Sequence, residues 1–81
     1  MRIDKFLNVV NLLKRRAIAQ DMCENNAVKV NGNLAKPSKE VKVGDVIELV
    51  YLEKTKRVEV LEIPVQKTIP KRDSAKFVRE L

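Results

Sequence analysis

The 81-residue chain has no histidine and no tryptophan, a single cysteine, two glycines and three prolines. Each shortage removes a class of function. A lone cysteine, Cys23, forms no intrachain disulfide, and without histidine there is no Cys/His zinc site, so no metal is expected and a reducing, cytosolic setting fits. Two glycines do not make a phosphate-cradling loop, and the commonest general base is missing. Asp4, Asp21, Glu24 and Glu40 therefore read as surface, capping or orienting groups rather than as an acid/base pair. Only Phe6, Tyr51 and Phe77 are aromatic, too few for a platform on which unpaired bases stack. No apolar run approaches the roughly 18 residues of a membrane span. The opening MRIDKFLNVV puts Asp4 where the apolar region of a signal peptide would begin. The expectation is one small, cytoplasmic domain with no enzymatic activity, no cofactor and no membrane partner.

What the chain has is positive charge, unevenly spread. The net charge is +6, from 17 Lys and Arg against 11 Asp and Glu. Residues 1–40 carry eight cations and four acids, residues 41–63 four and five, and residues 64–81 five and two. Both ends are basic and the middle is not, which suits a face that meets a polyanion, with nucleic acid the leading candidate. The plain alternatives are a solvated surface that keeps the protein soluble and a basic adaptor that meets an acidic protein.

Hydrophobic spacing supplies the coarse architecture. Ile3, Phe6, Leu7, Val10 and Leu13 form one apolar helix stripe, predicting a first helix over residues 3–10. A second is expected over residues 14–24, with Ala17, Ile18, Met22 and Cys23 on its apolar face and Cys23 in the core. Asn26 is expected to close it, because asparagine tolerates the left-handed conformation of a helix terminus. Val28 and Val30 alternate with Lys29 as a strand, Asn31-Gly32 is a hairpin signal, and Pro37 excludes a central strand from the next stretch. Gly44-Asp45 marks a turn before VIELVY, in which Ile47, Leu49 and Tyr51 face one way, and RVEVLEI is read as the last strand. The fold class is thus α+β: two N-terminal helices on a small, twisted, mainly antiparallel sheet, in the order α-α-β-β-β. Residues 1–63 form the domain, and residues 64–81 are read as a basic, flexible tail with at most one helical turn near Asp73 or Ser74, on which Phe77, Val78 and Leu81 share a side.

The stretch KRRAIAQ holds the sharpest functional signal. Three consecutive cations, Lys14, Arg15 and Arg16, fall in the expected first turn of the second helix, where the dipole favours carboxylates. An anion from outside the chain is the expected compensation, and a phosphate there would also meet free backbone N–H groups. Successive side chains diverge by about 100°, so the three do not share one direction. Arg16 is favoured, because Gln20 lies on the same stripe at i+4. Arg2 and Lys5 flank the start of the first helix and reach the same edge if the helices lie side by side. Asn31, Lys36 and Ser38 complete the candidate set, with a plain turn role weighed above a ligand contact for Asn31.

Three segments, RIDKFL, KRRAIAQDMCENNAVKVNG and KPSKEVKVGDVIEL, together resemble the S4-type RNA-binding domain in order and spacing across residues 1–63. The resemblance implies an RNA-binding surface formed by the two helices and the following hairpin. It maps the family's functional positions onto Arg2, Asp4, Arg16, Val30, Asn31, Gly32, Pro37 and Ser38. Where many members have glycine before the first strand, this chain has Asn26. A chain of this length is similar to the RqcP family of bacterial ribosome quality control and, in its core, to the heat-shock protein fifteen family. That likeness implies a monomer when free, ribosome-associated, which contacts ribosomal RNA and tRNA on obstructed large subunits carrying peptidyl-tRNA. The implied partner is a factor that extends stalled chains with alanine without a template. A general rRNA- or tRNA-binding role in assembly or heat-shock recycling is the alternative.

Overall fold

A computed structural model describes every residue, Met1–Leu81. The apolar stripe produces the first helix, α1, over Ile3–Val9, and it buries Ile3, Phe6 and Leu7 completely. Its first-turn N–H groups are satisfied from a distant loop: Ile3 N donates to Lys39 O at 2.7 Å and Asp4 N to Pro37 O at 3.3 Å. The loop around Pro37 is thereby pinned to the start of α1. Asn11 ends α1 at φ 66, with Asn11 N bonded to Asn8 O and Leu12 N to Leu7 O, a Schellman closure.

The second helix, α2, spans Arg16–Glu24, not 14–24. Arg15 is extended at the N-cap, and Asn8 Nδ2 holds the carbonyls of Leu13 and Lys14 at 3.2 and 3.1 Å, fixing the chain's entry into α2. The buried stripe of α2 is Ala19 and Cys23, whereas Ala17 is exposed and Ile18 is 42% exposed, so the expected apolar face is displaced around the helix. Asn26 closes α2 as expected, at φ 60, with Asn26 N bonded to Cys23 O and Ala27 N to Met22 O.

The strands are β1 (Val28–Val30), β2 (Asn33–Leu34), β3 (Val46–Val50), β4 (Thr55–Val60) and β5 (Val78–Glu80). They form one antiparallel sheet in the order β2-β1-β3-β4-β5. Asn31 and Gly32 join β1 to β2 with φ of 52 and 84, the two positive values of a type I′ turn. Val30, Ile47 and Val58 lie in register across β1, β3 and β4 and face the helices. Lys29, Glu48 and Arg57 form the matching row on the polar side, where Arg57 pairs Glu48 at 3.8 Å. This alternation is the period of two that a sheet with one covered face requires.

Residues 64–81 are not a tail. After a short 3-10 helix, Lys71–Lys76, the chain adds β5 along β4, with Val60 opposite Val78 and Glu59 opposite Arg79. Ile69 and Phe77 enter the main core at 7% exposure each. Asn11 Nδ2 donates to Ile69 O at 2.8 Å and to Ser74 Oγ at 2.9 Å, tying the segment to the end of α1. The expected helical turn exists, but Val78 belongs to a strand and Leu81 stays exposed, so the expected shared side does not form. The physical reason is that two widely spaced apolar residues suffice once an open strand edge supplies the backbone partners. The penultimate strand is accordingly β4, Thr55–Val60, which takes in only RVEV of the expected RVEVLEI.

Candidate nucleic-acid interface

Asp4 is the centre of the site. It is the one charged residue in the core, at 0% exposure, and every donor around it is accounted for. Lys5 N donates to Oδ1 at 2.7 Å. Gln20 Nε2 donates to Oδ2 at 3.1 Å and Arg2 Nη2 to Oδ2 at 3.2 Å. Arg16 approaches side-on, Nε at 3.3 Å from Oδ2 and Nη2 at 3.4 Å from Oδ1. Burial alone raises the carboxyl's pKa, but the hydrogen bonds from Gln20, Arg16 and the Lys5 N–H, with the Arg16 charge, outweigh it and hold it below its ordinary value of 3.8.

The cation puzzle in KRRAIAQ is resolved inside the chain. Lys14 and Arg15 precede the helix, so only Arg16 occupies its first turn, and the carboxylate that compensates it is Asp4 of α1. No external anion is needed to account for the inverted first turn. Arg2 and Arg16 are nevertheless still available, with side chains 47% and 44% exposed. The Nη1 group of Arg16 donates to nothing within the chain. One carboxylate thus orients two guanidinium groups at the surface.

The other predicted residues fall around this pair to different degrees. Lys36 and Ser38, exposed on the pinned loop, line a cleft of about 700 Å³ with Arg2 and Gln20. Lys5 is half-buried on α1, while Lys14 and Arg15 are exposed beside the start of α2 with no ion pair. Asn31 is different, because its amide is engaged: Nδ2 donates to Asp45 Oδ1 at 3.1 Å and Oδ1 accepts from Val46 N at 2.9 Å. It joins the β1–β2 turn to the start of β3 and lines an adjoining cleft with Lys36, Ser38 and Lys39. Lys39 was not among the predicted residues, although its place one residue after Ser38 was a usable signal. Asn8 and Asn11 also escaped notice, since nothing in their spacing announces which distant backbone they will hold. Cys23 lies at the floor of the Arg2 cleft, 4% exposed; burial, then the charges of Asp4 and Glu24, push its thiol up to about 11.

A family model described as "S4 domain" matches residues 1–47. Over 78 residues the chain is 53% identical to the RQC P-site tRNA stabilizing factor of Helicobacter pylori strain J99, covering 96% of this chain and 93% of that protein. The chain belongs to this S4-domain family. Two solved structures share the family's fold. The solution structure of a hypothetical protein, HP1423, superposes with a TM-score of 0.87 at 48% identity, covering 100% of this chain and 96% of that one. Heat Shock Protein 15 of Vibrio cholerae, solved as a trimer, gives 0.90 at 32% identity, covering 100% of this chain and 81% of that one. Both cover the chain through β5, so the S4-domain family's structural likeness extends past the matched residues. No helix is long and apolar enough to cross a membrane.

Proposed function

We propose that the protein is a non-enzymatic RNA-binding factor of bacterial ribosome quality control. It engages large ribosomal subunits that carry peptidyl-tRNA, steadies the tRNA in the P site, and so supports alanine tailing of the stalled chain by a partner factor on the same subunit. It acts in the cytoplasm, bound to ribosomes, and is a monomer when free. The observation that carries the RNA contact is the Asp4 cluster: two half-exposed arginine side chains held by one buried carboxylate beside a loop bearing Lys36 and Ser38. A planar guanidinium matches the paired oxygens of a phosphate, and a group already held in place loses less entropy on binding. The relative's name, RQC P-site tRNA stabilizing factor, supports the choice of tRNA and of the quality-control setting.

Arg2, Lys5, Lys14, Arg15, Arg16, Gln20, Lys36 and Ser38 form the contact set, with Asp4 as the positioning residue and Asn31 shaping the hairpin. Cosedimentation of wild type and Arg16→Ala with purified large subunits, with and without peptidyl-tRNA, tests the reading across a salt series. Arg16-dependent binding that prefers the tRNA-bearing subunit is the expected result. Equal binding to bare and loaded subunits would redirect the function to a general rRNA-binding or recycling role. Arg16-independent binding would refute the site.

A further inference from the structure

Residues 64–81 hold five cations, and the fold sorts them into two groups. Lys76 pairs with Asp73 at 3.9 Å and Arg79 pairs with Glu59. Lys67, Lys71 and Arg72 are exposed and form no ion pair. They sit on a fixed surface, because Ile69 and Phe77 anchor the segment in the core and the Asn11 amide holds both Ile69 O and Ser74 Oγ.

Their position relative to the Asp4 cluster follows from α1. Arg2 and Asp4 lie at its N-terminal end. Lys5 and then Asn8 continue from Arg2 in an i, i+3 row, and Asn8 holds the carbonyl of Lys14 at 3.1 Å. Asn8 and Asn11 share a small depression with Lys67 and Thr68, and Asn11 also lines the neighbouring cleft with Lys56, Lys71 and Ser74. Glu80 is the one acid in that second cleft. The cations Arg2, Lys5, Lys14, Lys67 and Lys71 therefore follow the length of α1, about 10 Å at 1.5 Å per residue, and end on the C-terminal segment. A row of cations along a rigid element, of which only Arg2 is already ion-paired and that one with its side chain still 47% exposed, suits a chain of phosphates better than a single anion.

We propose that Lys67, Lys71 and Arg72 form a second phosphate-contact patch, continuous along α1 with Arg2 and Arg16, through which the C-terminal segment grips RNA backbone outside the region matched by the S4 model. The patch reads no base, since it offers charge without a partner geometry for base edges. The inference rests on the RNA-binding reading above.

The test compares four full-length proteins on purified large ribosomal subunits: wild type, Arg16→Ala, the triple variant Lys67→Gln/Lys71→Gln/Arg72→Gln, and Lys54→Gln on the β3–β4 connection as a charge control. All three patch side chains are exposed, so an unchanged thermal melt is expected for the triple variant and is checked first. Each lost phosphate contact removes roughly 0.7–0.9 from the slope of log K against log salt, so the triple variant's slope should fall by about 2 and its affinity at least about tenfold at low salt. Lys54→Gln should leave both unchanged. A triple variant that tracks Lys54→Gln while Arg16→Ala binds weakly overturns the patch alone. Indifference of both the triple variant and Arg16→Ala overturns the RNA reading with it. If the triple variant's deficit persists on particles stripped of RNA by ribonuclease, the patch meets an acidic protein surface and the proposal fails.

Discussion

Replacing Asp4 by asparagine separates positioning from charge. The side chain keeps its shape, but the short bond from Lys5 N at 2.7 Å demands that an oxygen remain at Oδ1. The new amide then faces the guanidinium groups of Arg2 and Arg16, which have no acceptor, and Gln20, which must turn its amide over to offer Oε1. Removing one partner of a fully buried ion pair costs about 3–5 kcal/mol. Here the two arginine side chains are 47% and 44% exposed and can return to water, so we expect about 2 kcal/mol, a fall in Tm of roughly 10 °C for a domain of this size. RNA affinity should fall as well, because each released arginine must be ordered on binding at about 0.5–1.5 kcal/mol. Together that is about tenfold or more. A pure net-charge account has the opposite sign, since the substitution raises the charge from +6 by one unit and should strengthen binding to a polyanion. Urea unfolding gives the first number, and cosedimentation with large subunits, corrected for folded fraction, gives the second. Asp4→Asn binding as tightly as wild type or tighter would refute the positioning role.

Deleting residues 64–81 should abolish the cooperative thermal transition, since it strips Ile69, Phe77 and β5 from the core and sheet; Phe77→Ala alone should cost about 3–5 kcal/mol in urea unfolding. Asn26→Ala should cost about 1–2 kcal/mol and Asn26→Gly much less, because φ is 60 there and only the Cβ is penalised. With its thiol pushed up from 9.0 to about 11, Cys23 should hold about a hundredfold less thiolate than an ordinary cysteine at pH 8. Its alkylation should therefore be slow in buffer and fast in urea. The stability this represents is full below pH 9.0 and is lost as pH rises through about 11, so alkaline unfolding should be postponed in Cys23→Ser. Asp4 acts with the opposite sense: its carboxyl lies below 3.8, so its contribution is full above that value and fades as pH falls through the folded-state pKa, seen as a shallower acid limb in Asp4→Asn.

Local rules sufficed for much of this protein. Ile3, Phe6, Leu7 and Val10 specify a helix by spacing, Asn31-Gly32 specifies a hairpin by its tolerance of positive φ, and Asn26 marks a helix end for the same reason. The cations of the candidate set could be proposed from sequence because charge, unlike a fold contact, is written in the residue itself. Tertiary structure decided the rest. Only the packing of α1 against α2 brings Asp4 to Arg16, twelve residues away, and turns an apparent vacancy for an external anion into an internal ion pair. Only the open edge of β4 makes a strand of residues 78–80, since VRE carries almost no strand signal of its own. Periodicity reports what a segment does to its own neighbours, while a buried carboxylate's partners and a sheet's last strand are chosen by residues that meet only after the chain has folded.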